Sequence, residues 1–262
     1  MTTPAQTSGR PAPLRVGRII AVASGKGGVG KTWFAITLAH ALARAGHQVL
    51  LFDGDLGLAN VDIQLGLLPA HDLGSVIAGQ RRLADAVTHH QGGFDILAGR
   101  SGSGALAALD DAAIEAMLAA LHAAATGYDH IVLDLGAGID RTTRRLARFA
   151  DLLLVLATEE PTSLTDAYAV LKLHHADRAT HAAPSEARIV VNQASTAAAG
   201  QRTYATLARA CTAFLGQTPP LAGIIRRDDR VRDAIRRQTP LLQRHPNSPA
   251  AADVEQVALA VA

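Results

Sequence analysis

Residues 24–32 read Ser-Gly-Lys-Gly-Gly-Val-Gly-Lys-Thr, and two of the chain's three lysines, Lys26 and Lys31, fall inside this stretch. Apart from Lys172, positive charge elsewhere is carried by arginine. An ammonium is a compact point charge on a flexible stem, whereas a guanidinium is a planar fork, so two lysines kept here point to a need for point charges. The run from Gly25 to Thr32 matches G-x-x-x-x-G-K-[ST], a phosphate-binding pattern. Gly25, Gly27, Gly28 and Gly30, with Val29 between them, let successive backbone N–H groups turn inward around an anion. The helix expected to follow adds its positive end to the same place. Lys31 is spaced to reach the β- and γ-phosphates, and the Thr32 hydroxyl to take one magnesium position. The ligand class is therefore a nucleoside triphosphate with magnesium.

Three aspartates complete the arrangement. The apolar run 48–52 leads directly into Asp53-Gly54-Asp55, and the run 128–133 ends at Asp134. In a parallel sheet such carboxylates emerge where ligands bind, at the C-terminal ends of strands. An acidic residue ending an apolar strand is what a nucleotide hydrolase uses to support magnesium. A strand-end aspartate also serves as a turn former or helix cap, but three of them beside a phosphate loop favour the catalytic role.

The elements that must position these groups are legible as alternating patterns. Apolar β-type runs occur at 18–23, 48–53, 94–98, 129–135, 151–157, 187–192 and 220–225. Helical spacing appears near 31–45, 110–125, 139–149, 162–176, 201–215, 228–238 and 249–261. Near-continuous apolar strands alternating with helices predict an α/β fold, a doubly wound, mostly parallel sheet with helices on both faces. Residues 1–15 are rich in proline and threonine and read as a disordered tail, leaving 16–262 as a single nucleotide-binding domain. The formal net charge of +2 on 262 residues gives only a weak pull toward acidic partners. Cys211 stands alone, which excludes an internal disulfide and a cysteine-built metal or iron–sulfur site. No run approaches the ~20 apolar residues of a membrane span, and the first residues lack a signal peptide's apolar core, so the expected location is the cytoplasm.

With a second lysine at position 26, the phosphate loop resembles the deviant Walker A motif of the MinD/ParA ATPases. The resemblance continues through residues 53–62 (DGDLGLANVD), 134–139 (DLGAGI), 160–168 (EPTSLTDAY) and 238–251, and so covers residues 18 to about 258. The stretches DLGLANVD, GAGI and EPTSLTDAYA are most similar to the branch of flagellar-number regulators (FlhG, FleN, YlxH). This resemblance implies an ATP-bound homodimer with slow, magnesium-dependent hydrolysis. In that scheme Lys26 crosses the interface to the partner's phosphates, Lys31 binds them in its own subunit, and Asp55 orients the attacking water. Asp53 and Asp134 support Mg2+ together with Thr32, Asn192 recognises adenine, and Asp166 lies at the interface near the crossing lysine. The implied partners are an FlhF-type GTPase and flagellar basal-body or transcription-regulator proteins, with recruitment to the pole or membrane through a partner.

Several residues depart from the family pattern or invite other readings. The glutamine near the start, Gln6, lacks the surroundings of the relatives' GTPase-stimulating motif. The last residues, 257–262, carry no basic face, so this end reads as a packed helix and not as a membrane-binding one. Arg226 stands where relatives place proline beside the adenine. Trp33 stands where they carry a small or polar residue; it is expected to pack on the sheet and to serve as a fluorescent reporter of nucleotide. Six arginines crowd residues 226–237, either as a DNA-backbone patch or as a solvated helix with the i,i+4 pairs Asp228–Arg232 and Asp233–Arg237. The acids offset half of that charge, which favours the solvated helix. The pairs His89-His90 and His174-His175 read as surface residues, and residues 99–104 as a glycine-rich connection or a mobile loop. Two other functions stand beside the flagellar one: a ParA-like partition ATPase that binds DNA non-specifically, and a nucleotide-gated interaction module with negligible hydrolysis.

Overall fold

The computed structural model describes residues 17–55, 57–99, 110–181 and 186–262. The expected tail at 1–15, and most of the glycine-rich stretch at 99–104, lie outside the described residues. Among those described, eight strands form one sheet in the spatial order β3-β4-β2-β5-β1-β6-β7-β8. They are β1 (Arg18–Ser24), β2 (Val49–Gly54), β3 (Thr88–His89), β4 (Asp95–Leu97), β5 (His130–Ala137), β6 (Leu152–Ala157), β7 (Glu186–Ala194) and β8 (Leu221–Arg226). Every pairing is parallel except the short β3–β4 ladder at one edge.

The helices are α1 (Lys31–Arg44), α2 (Val61–Leu65), α3 (Leu73–Ile77), α4 (Leu83–Ala86), α5 (Asp111–Ala124), α6 (Arg141–Phe149) and α7 (Pro161–His181). They continue with α8 (Ala197–Leu215), α9 (Asp229–Arg236), α10 (Leu241–Arg244) and α11 (Pro249–Val261). Strand side chains alternate between faces, so β1 sends Ile20 and Val22 to one core and Ile19, Ala21 and Ala23 to the other. The first core is closed by α1 and α11, the second by α5, α6, α7 and α8. Because both faces are covered, the strands can be apolar throughout, as the sequence pattern required. Truncating a fully buried residue such as Leu38 to alanine is expected to cost about 2–5 kcal/mol.

The long elements fall close to their expected positions, with two extensions. Helix α8 starts at Ala197 because the Thr196 side chain accepts from the Ala199 N–H, and α7 runs on to His181. The short elements α2, α3, α4, α10 and β3 were not expected, since they are too short to show a period. The histidine reading needs correcting: His90 and His174 are buried, and only His89 is strongly exposed, paired with Asp95 at 2.7 Å. The Asp228–Arg232 ion pair does not form. The Asp228 carboxylate instead caps α9, accepting from the Arg230 N–H at 3.0 Å. The other pair, Asp233–Arg237, is present at 4.0 Å. The apolar face of α11 packs into the core through Val254, Val257 and Val261, as expected for a packed terminal helix.

Candidate nucleotide-binding site

The glycine loop lies between β1 and α1, at the C-terminal ends of the central strands. Two backbone constraints shape it. Gly30 has φ 91°, and a Cβ there would stand 2.7 Å from Asn192 Nδ2; a Cβ on Gly25 would stand 2.3 Å from the Asp166 carbonyl oxygen. The loop is therefore clamped from both sides, by β7 at Gly30 and by α7 at Gly25. Asn192 donates from Nδ2 to the Val29 carbonyl at 2.8 Å, and Gln193 from Nε2 to the Gly28 carbonyl at 3.3 Å. Gln193 holds a left-handed φ of 56° to do so.

Helix α1 starts without help from its own chain. Gly30 offers no side-chain cap and no acidic residue occupies the first turn. By contrast, α5, α6, α8, α9 and α11 are capped by Asp110, Asp140, Thr196, Asp228 and Ser248. Uncapped N–H groups at the positive end of a helix are suited to an external anion.

Asp53 and Asp134 stand side by side as register partners on β2 and β5, both fully buried. Asp53 accepts three backbone N–H groups, from Asp55 at 3.2 Å and from Asn60 and Val61 at 3.0 Å each. Burial and the neighbouring Asp134 nevertheless push its carboxyl up to about 7. Burial pushes Asp134 up to about 6, with Lys31 and Thr32 pulling the other way and Asp55 adding to the rise. Both oxygens of Asp134 are buried without a hydrogen-bond partner. Asp53 thus spends its oxygens on fixing the 55–61 loop, while Asp134 keeps its own free beside buried Lys31. Asp55 is half-buried, accepts from the Leu58 N–H at 3.0 Å and lies next to Gly136.

This donor set fits magnesium. No group of three or more Cys, His, Asp or Glu able to hold a metal occurs among the described residues. Magnesium is usually held by one or two protein groups together with phosphate oxygens and water, and orphaned carboxylate oxygens at the foot of a phosphate cradle match that need.

The two lysines occupy different surroundings. Lys31 is buried, whereas the Lys26 side chain is 33% exposed and donates to Glu160 at 2.6 Å and Thr162 at 3.2 Å. Asp166 touches the loop through its backbone at Gly25, and Glu160 is the acid that meets Lys26. Sequence reasoning missed this role of Glu160, although the acidic pair 159–160 directly after an apolar strand was a usable signal. Gln193 was missed as well, and nothing local marks it.

From Gly28 and Gly30 a cavity of about 270 Å³ opens between α1, β7 and α9, lined among others by Trp33, Asn192, Gln193, Arg227, Val231 and Ile235. Arg226 also lines this cavity, with its guanidinium held to Asp253 of α11 by bonds of 2.9 and 2.7 Å. A larger cleft of about 330 Å³ lies among the arginines of α6, but Arg141, Arg144 and Arg145 in its wall are already paired with Asp111 and Asp177, and no residue of the phosphate loop lines it.

Comparison with known proteins agrees with this geometry. The CobQ/CobB/MinD/ParA nucleotide binding domain matches residues 20–241. The antiactivator FleN of Pseudomonas aeruginosa is 36% identical over 92% of this chain and 85% of its own length. The flagellum site-determining protein YlxH of Helicobacter pylori is 30% identical over 72% of this chain and 63% of its own. Among solved structures, the septum site-determining protein MinD of Pyrococcus horikoshii, complexed with Mg-ADP, superposes with a TM-score of 0.77 at 25% identity, covering 94% of this chain and 96% of that one. A phosphate cradle, an uncapped helix, free buried carboxylate oxygens and these relatives lead to one assignment: the chain belongs to the CobQ/CobB/MinD/ParA family of nucleotide-binding domains.

Proposed function

We propose that this protein is an ATP-dependent dimerisation switch, with slow magnesium-dependent hydrolysis, that regulates flagellar number or placement. The relationship to FleN and YlxH supports the flagellar role. The observation that carries the switch is the separation of the two lysines: Lys31 is buried in its own cradle, and Lys26 stands at the rim. A rim ammonium with a long flexible stem is placed to reach phosphates bound by a second copy, joining two chains through ATP.

In this reading Lys31 and the loop N–H groups hold the β- and γ-phosphates. Thr32 and Asp134 hold magnesium, with Asp53 supporting them by fixing the neighbouring loop, and the ion supplies charge neutralisation at the phosphates. Asp55 orients the attacking water, Asn192 supports the base side, and Asp166 belongs to the dimer interface. Positioning and electrostatics do nearly all the work in phosphoryl transfer, so a switch needs no further machinery. Loss of the γ-phosphate then releases the dimer. The partners are an FlhF-type GTPase and flagellar basal-body or transcription-regulator proteins in the cytoplasm, and residues 16–262 act as one domain.

The test is flagellar count by electron microscopy in the source bacterium lacking this gene. Extra, missing or displaced flagella restored by wild type but not by Lys31→Ala support the reading, and unchanged flagella overturn the flagellar part. Asp55→Ala should accumulate as a dimer in ATP; a monomer at saturating ATP contradicts the switch.

One observation favours a second reading, a partition ATPase that binds DNA. Asp228 caps α9 and Asp233 is held by Arg244 at 2.5 Å, so Arg230, Arg232 and Arg236 form no ion pair among the described residues. Salt-sensitive, ATP-dependent DNA binding lost on neutralising these arginines would favour it.

A further inference from the structure

Trp33 is the chain's one tryptophan and directly follows the magnesium-side Thr32. Its side chain is 6% exposed and belongs to the core beneath α1, yet it also walls the cavity that opens from Gly28 and Gly30. Val231 and Ile235 of α9 line the same cavity, while Asn192 and Gln193 bring amide groups to it. Arg226, Arg227, Asp228, Asp229 and Arg232 also line it, so the cavity joins one apolar wall of Trp33, Val231 and Ile235 to a polar and charged rim, and a nucleobase has apolar faces and polar edges to match.

The indole is also placed at a junction. Trp33 Nε1 and Gln64 Oε1, a donor and an acceptor, are both buried without a partner, and both residues line one small cavity of about 10 Å³ on α2's side of the ring. Helix α2 starts at Val61, whose N–H bonds to Asp53, so the indole sits between the base-side cavity and the carboxylate loop.

We propose that Trp33 is a nucleobase-contacting residue that supplies the base-dependent part of nucleotide affinity. This rests on the nucleotide reading above and assigns the base contact to one named side chain. The ring forms an apolar wall against the purine, and phosphate binding remains with the loop.

The test compares ADP with pyrophosphate, both with magnesium, by calorimetry on the full chain. Trp33→Leu should weaken ADP about tenfold while leaving pyrophosphate unchanged, and Trp33→Phe, which keeps a ring, should hold ADP within about threefold. Unchanged ADP affinity in Trp33→Leu, or equal losses for both probes, overturns the assignment. Should Trp33→Leu fail to fold, the wild-type emission decides: ADP should shift or quench it and pyrophosphate should not, and identical responses overturn the proposal. Wild type that binds neither probe would overturn the nucleotide reading itself, a result distinct from those above.

Discussion

Carboxylates sit at both ends of this sheet, and the two ends treat them in opposite ways. At the N-terminal end, Asp151 accepts from the Ile19 N–H at 2.8 Å, Asp129 from the Gln48 N–H at 2.8 Å, and Asp95 from the Tyr128 hydroxyl at 2.8 Å. Each bond fastens a strand start. At the C-terminal end, Asp134 has two buried oxygens with no partner, and Asp53 is pushed up to about 7 despite three backbone donors. Burying a charge without a partner is costly, and a fold keeps such a cost where a ligand offsets it. One end of the sheet is built for stability, the other for a cation and an anion that arrive together.

The largest expected effect comes from removing the buried cation of the site end. Lys31→Ala should weaken nucleotide binding by about 100-fold or more, measured by calorimetry, because a buried charge contact is lost. A crossed pair then sharpens the contrast. Asp134→Asn should stabilise the apo protein by an amount on the order of 1–3 kcal/mol at pH 8 while abolishing the magnesium-dependent part of nucleotide affinity. Asp151→Ala should destabilise by about 1 kcal/mol and leave that affinity unchanged. Denaturant melts with and without magnesium read both, and Asp134→Asn behaving like Asp151→Ala would break the comparison.

Proton linkage separates the two ends by sign. Asp53 and Asp134 titrate near 7 and 6 in the folded state, above the unfolded value of 3.8. The folded chain therefore binds more protons between about 4 and 7, and this contribution to stability is lost as pH rises through that window. His40, buried toward the other end with His90 and Phe94, behaves oppositely. Burial, helped by Arg44 and His90, pushes its imidazole from 6.5 to about 4, so its contribution is lost as pH falls from about 6.5 toward 4. Asp53→Asn should flatten the loss on the alkaline side and His40→Gln the loss on the acid side, in denaturant midpoints between pH 4 and 8.

The smallest effect on stability is expected at the rim. Glu160 is exposed, so its ion pair with Lys26 is screened by water, and Glu160→Gln should leave the melting temperature unmoved. Its consequence belongs to assembly: Lys26 loses its ion pair and keeps only neutral partners such as Thr162, so the ATP-dependent dimer should form at lower protein concentration in sedimentation.

Much of this protein was legible in the sequence because its signals are local. The phosphate loop, the strand-end aspartates 53, 55 and 134, and the alternation of apolar strands with helices each lie within a few contiguous residues. Spacing along the chain determines backbone geometry there, so the fold class and the cradle follow from sequence directly. Tertiary structure decided what joins distant positions. Asn192 reaches Val29 across 163 residues, Lys26 finds Glu160 across 134, and Arg226 at the base-side cavity is held by Asp253 across 27. It also separated two aspartates that look alike in sequence, binding Asp53 to the backbone of its loop and leaving Asp134 open. Such differences depend on which strands become neighbours and how much water they exclude, and neither is written in the spacing of residues along one strand.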